Sequence, residues 1–209
     1  PDQSGLGAGE LRFIMSLRAI GEGHLSSIEF RSGVIGSDGQ PTMDEPGPYP
    51  RTGDRTPTTY DREFFTTRLR ELGALNEIAR TVLTELPDQF TIEQVEAAIL
   101  DLDRRGIDRS IAAETTRIIH WLASSNYTLT FATESHVSER VIFPAGPTES
   151  RGMEDARFVR FTHDDGSVRY YGTYTAFDGF QILPQLIETP DFITFRIATL
   201  GGIRAKNKG

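Results

Sequence analysis

The chain has 209 residues, of which 37% are hydrophobic and 25% charged, a balance that excludes disorder and suits a soluble globular protein. Its formal charge of -8 argues against a nucleic-acid binder, which needs a basic stripe to displace counterions, although a local basic pocket can sit on an acidic protein. It has no cysteine, hence no disulfide and no thiolate nucleophile or metal ligand, which suits a reducing, cytoplasmic setting, and no apolar run is long enough to span a membrane.

The opening residues Pro1-Asp2-Gln3-Ser4-Gly5 read as loop. Leu11, Phe13, Met15 and Leu17 then alternate with Arg12, Ile14, Ser16 and Arg18, which is strand periodicity. Gly21-Glu22-Gly23 supplies a turn, and Ser26 to Ile35 reads as the second strand of an antiparallel hairpin. Residues 36–58, rich in Gly, Pro, Thr and Asp, read as a long loop or linker. The period then changes. Phe65, Leu69, Leu72, Leu75, Ile78, Val82, Leu83 and Leu86 recur at helical steps and predict one helix, stopped by Pro87. Thr91 with Gln94 is a capping-box signature for a second helix over 92–104, and Gly106 separates it from a third over 110–124. The expected organisation is first strands and linker over 1–58, a helical insertion over 59–125, and strands again over 126–209. In the last part, strands are predicted over 127–133, 138–143, 156–162, 168–175 and 192–200, with Asp164-Asp165-Gly166 as a hairpin turn. The last residues, Asn207-Lys208-Gly209, follow a Gly-rich turn, and the chain is expected to be an internal fragment of a longer polypeptide.

Four clusters could carry chemistry. The densest is Glu149-Ser150-Arg151-Gly152-Met153-Glu154-Asp155-Ala156-Arg157 at the mouth of a predicted strand. Strict alternation would point Met153, Asp155 and Arg157 to one face and Glu154 to the other. The same residues also read as an Arg–carboxylate network at a strand end. A second cluster runs from Tyr171 through Tyr174 to Asp178 and Gly179; its tyrosines and Asp could stack on and bond a sugar, or form a core strand with an ordinary turn. Arg18 with His24 in the first glycine turn could bind an anion. Arg204, Lys206 and Lys208 form a basic run, either exposed surface or a phosphate hold. Metal ligation is not expected, because His24, His120, His136 and His163 show no paired spacing. No phosphate loop, dinucleotide motif or nucleophile elbow occurs.

In order along the chain, these segments resemble glycoside hydrolase family 130, the β-mannoside phosphorylases and related hydrolases. Gly152-Met153-Glu154-Asp155-Ala156-Arg157 resembles the family's Gly-X-Glu-Asp-Pro-Arg block, with Ala156 in place of proline. Tyr171 to Gly179 resembles its Tyr-Thr-Ala-Tyr-Asp-Gly strand, with Phe177 for the second tyrosine. Phe195 to Thr199 with Asn207-Lys208 resembles the next strand and turn, and Ser16 to Ala19 with Ser26 to Ile28 resembles the first-blade strands. The helical region resembles an insertion found in longer members of the family.

The resemblance implies a mainly β fold, part of a five-bladed β-propeller, interrupted by the helical insertion. It implies inverting phosphorolysis of β-mannosides to α-mannose 1-phosphate, with Asp155 as general acid. Glu154, Arg157, Tyr174 and Asp178 would hold the sugar or support Asp155. Arg18, His24 and Lys208 would bind phosphate, with Arg18 touching the sugar as well. No organic cofactor is implied; inorganic phosphate is the co-substrate and an oligosaccharide the partner, with no nucleic acid or membrane and self-association left open. An inverting β-mannosidase and a non-catalytic sugar-binding propeller are the alternatives.

Overall fold

The computed structural model describes residues 1–201 except 22, 24, 180 and 181, with the backbone alone at 183. Strands β1 (Leu11–Ile20) and β2 (Ser26–Ile35) form the expected antiparallel hairpin, with Leu11 opposite Ile35. The stretch 36–58, expected as loop, carries two strands. One, β3 (Pro41–Met43), extends the hairpin sheet; the other, β4 (Asp54–Pro57), crosses to a second sheet. Both are fully exposed, so they lack the buried alternation that marks a strand in sequence.

A short ladder of β5 (Tyr60–Asp61) and β6 (Gln89–Phe90) braces the helical region. That region has four helices, not the expected three: α1 (Arg62–Glu71), α2 (Glu77–Glu85), α3 (Ile92–Arg104) and α4 (Arg109–Ser124). The apolar period runs unbroken from Phe65 to Leu86, but the backbone does not. Gly73 turns left-handed at φ 72°, and the Asn76 side chain accepts the Ala79 amide to start a new helix.

After the helices come β7 (Tyr127–Thr130), β8 (Val141–Ile142), β9 (Gly152–Thr162), β10 (Val168–Phe177), β11 (Ile182–Thr189) and β12 (Thr194–Thr199). The strand expected over 138–143 shrinks to β8, because a 3-10 turn occupies Val137–Glu139. No strand was expected where β11 lies. Gly166 closes the β9–β10 hairpin at φ 81°, as the Asp-Asp-Gly turn predicts.

The strands build two antiparallel sheets. One holds β1, β2 and β3 with β8 beside β2; the other runs β4-β7-β12-β11-β10-β9. Strands 141–142 and 54–57 thus each join the sheet of a distant segment. The sheets pack on each other through Phe30, which stacks on Phe195 at 5.5 Å between centroids and meets Phe158 and Phe192 edge-on. The helices have their own core, centred on Tyr60, Phe65 and Phe90.

The helical region is inserted between adjacent strands of the larger sheet, where Pro57 of β4 pairs with Tyr127 of β7. Polar groups close the junction. The buried Tyr60 hydroxyl donates to the Leu122 and Ala123 carbonyls, each at 3.0 Å. Arg55 lies 4.5 Å over the Tyr127 ring and donates to the carbonyls of Ala145 and Ser124 at 2.6 and 3.0 Å. Buried Arg68 donates to the Leu200 carbonyl at 2.7 Å.

Phe30 has no exposed surface and contacts rings from β9, β12 and the turn before β12. Phe30→Ala is therefore expected to cost about 3–5 kcal/mol, read as a lower urea midpoint at unchanged slope.

Candidate functional site

The candidate cluster is built by an irregularity in β9. Glu154 pairs with Thr175 and Arg157 with Thr173, so Asp155 and Ala156 together stand opposite Tyr174. This is a β-bulge, an extra residue that shifts the side-chain phase of the strand. In the bulge type whose first residue is left-handed, that position usually takes glycine; here Asp155 adopts φ 54°, which aspartate tolerates better than most side chains. The cost of such a backbone is about 1 kcal/mol or more. Ahead of it Gly152 sits at φ 135°, where an added Cβ would lie 2.6 Å from Ser26 Oγ. The Ser16 hydroxyl donates to the Ala156 carbonyl at 2.7 Å and ties β1 to the bulge.

The bulge overturns strict alternation. Met153 is fully buried while Asp155 and Arg157 are exposed, so Met153 does not share their face. Nor does Glu154 point away from Asp155: one guanidinium reaches both. Arg18 of β1 donates to Glu154 at 2.7 Å and stands 3.9 Å from the Asp155 carboxylate. All three side chains keep solvent access, at 38, 23 and 42%. An ion pair this exposed contributes about 1 kcal/mol at most, so stability alone gives little reason for it.

The other expected site residues differ in exposure. Arg157 lies on the exposed face of β9, beyond the bulge. Tyr174 is a correction: it is buried at 2% exposure and belongs to the core, with its hydroxyl donated to Glu149 at 3.0 Å. It offers no face to a sugar. Asp178 is half-buried just past β10, where its carbonyl accepts from the Ser150 hydroxyl at 3.5 Å and its charge is felt by Arg117 of α4. His24 and Lys208, with Arg204 and Lys206, lie outside the described residues. Among the described residues no group of three His, Asp or Glu side chains could hold a metal, and no helix is long and apolar enough to cross a membrane.

Beneath the cluster is a polar network to which the sequence assigns no role. Glu149, in the 3-10 turn Pro147–Glu149, is completely buried. It accepts the Tyr127 hydroxyl at 2.6 Å, the Gly146 amide at 2.9 Å and the Tyr174 hydroxyl. Beside it the buried Gln185 of β11 donates to Thr148 at 3.0 Å. Burial pushes the Glu149 carboxyl up, against the pull of its hydrogen bonds, and pushes the Tyr127 and Tyr174 phenols up as well. Glu149 stands in the densest polar cluster of the sequence, but its neighbours there gave no sign that it turns inward.

No protein-family model, curated protein or solved structure matches the chain.

A carboxyl held high in the fold keeps a proton that the unfolded chain releases. Glu149 therefore favours the fold at acid pH, and this contribution falls as pH rises above the ordinary carboxylate range toward the raised value. Glu149→Gln, which keeps the acceptor and cannot ionise, is expected to lose that decline. Urea unfolding of both proteins from pH 4 to about 8 should show the variant gaining relative stability as pH rises.

Proposed function

We propose that this chain carries part of the active site of an inverting glycoside phosphorylase acting on β-mannosides, with Asp155 as general acid. The single observation that supports it is the convergence of Arg18, Glu154 and Asp155, from two separate motif blocks, on one solvent-accessible point. The motif blocks supply the chemistry; the convergence supplies a place for it.

The reaction needs few groups. A phosphate oxygen attacks the anomeric carbon from the face opposite the leaving group. The carbon–oxygen bond to the leaving sugar breaks, and that oxygen takes a proton from Asp155, directly or through a sugar hydroxyl. The products are α-mannose 1-phosphate and the shortened saccharide. Because phosphate is the nucleophile, one acid suffices where hydrolysis requires a second carboxylate to activate water. Arg18 would counter the phosphate charge, aided by Lys208 and His24; Glu154, Arg157 and Asp178 would contact the sugar. The two sheets would then be blades of a five-bladed propeller whose remaining blades belong to a longer polypeptide. The lack of cysteine suits a cytoplasmic enzyme.

One observation favours hydrolysis as the second reading. Arg18 is already bonded to Glu154 at 2.7 Å, so phosphate would have to compete with a carboxylate for it. An inverting β-mannosidase would use the second carboxylate as the base.

The longer polypeptide should be incubated with manno-oligosaccharides with and without inorganic phosphate. Phosphorolysis predicts phosphate consumption and release of α-mannose 1-phosphate; undiminished turnover without phosphate selects hydrolysis. Asp155→Asn is expected to lower turnover by about 100-fold or more while sugar binding persists. Native turnover in that variant removes Asp155 from the role, and sugar binding without turnover by the native protein selects a non-catalytic lectin-like role.

A further inference from the structure

The 3-10 turn Pro147–Glu149 leads within a few residues into β9, the strand that carries Glu154 and Asp155. Whatever holds Glu149 therefore holds the entry to that strand. Its carboxylate is gripped from separate elements: Tyr127 from β7, Tyr174 from β10 and the Gly146 amide at the start of its own turn. Thr148 beside it is bonded by Gln185 from β11. The Arg151 amide, between Glu149 and the bulge, donates to the Phe177 carbonyl at 2.8 Å.

Tyr174 joins these facts. It is the residue opposite Asp155 and Ala156 in the ladder, the one against which the bulge forms. Its hydroxyl ends on Glu149. A left-handed aspartate persists only where its surroundings over-determine it, and the surroundings here meet at one carboxyl. A buried carboxyl is also a costly way to fill a core, since apolar side chains of the same volume stabilise as well or better.

We propose that Glu149 is a positioning residue: by fixing Tyr174 and the entry to β9, it fixes the bulge that presents Asp155 beside Arg18. The proposal rests on the reading of Asp155 as the reactive carboxyl, but its test does not. Glu149 touches no substrate; it sets the backbone from which Asp155 projects.

Amide hydrogen exchange, read residue by residue on the full chain without substrate, tests it. Glu149→Ala is expected to speed exchange at 151–156 by about tenfold or more relative to amides of α2 and α3. Glu149→Gln accepts from Tyr127 and Gly146 and donates to Tyr174, so exchange should stay within about threefold of native. An even rise across both cores would mean a general loss of stability and overturn the proposal. So would unaltered exchange at 151–156, or a glutamine variant that behaves like the alanine one. If the alanine variant does not fold, Tyr174→Phe removes one of the phenol donors to Glu149 and must speed exchange at the same amides; unaltered exchange there overturns the proposal. A longer polypeptide without activity on β-mannosides would remove the role of Asp155 and leave the exchange result standing.

Discussion

Two residues of β9 face one residue of β10, and the rest of the candidate site follows from that mismatch. Asp155 and Ala156 share Tyr174 as their partner. Before the mismatch β9 sends Met153 into the core; after it, Ala156 and Phe158 lie against the same core while Asp155 and Arg157 face solvent. A regular strand would have to choose between burying Met153 and exposing Asp155, because the two are separated by an even step. The extra residue lifts that choice. It also turns the Glu154 and Asp155 carboxylates toward one arginine from another sheet, which a flat ladder would not do.

The mismatch is held by its neighbours more than by its own residues. Asp155 is in a conformation that costs free energy, and Gly152 ahead of it is open to no larger side chain because Ser26 occupies the space. Ser16 clamps one side and the Glu149–Tyr127–Tyr174 network underlies the other. The exposed carboxylates and the buried one thus play opposite parts. Glu154 and Asp155 keep their water and meet Arg18 at the surface; Glu149 gives up all its water for phenols and backbone amides.

The sequence revealed elements whose pattern is apolar or turn-forming, and missed β11, whose buried face is Gln185, Ile187 and Thr189, two of them polar. Alternation in β1, the Thr91–Gln94 box of α3 and the Asp-Asp-Gly turn all signalled their elements because each pattern has a local physical cause. Strands β3 and β4 bury nothing and carried no such signal. The break between α1 and α2 was hidden because tertiary packing keeps Phe65 through Leu86 apolar on both sides of Gly73. Of the site, Arg18, Glu154 and Asp155 were legible because motif order brought them together. Tyr174 was misassigned because a tyrosine near a strand end looks the same whether its hydroxyl meets solvent or a buried carboxyl. That partner, Glu149, lies far along the chain, and pairing of this kind is set by strand register, which single residues do not encode.

The helices leave and rejoin the larger sheet at Pro57 and Tyr127, which are ladder partners. From the sheet's side, everything between those two residues is a single hairpin connection of unusual length. Lengthening such a connection costs only slowly growing closure entropy, and the register of β4 on β7 does not depend on what hangs between them. The helical unit, with a core of its own, therefore need not set the pairing of β4 on β7, although α4 also rests on the turn that carries Glu149.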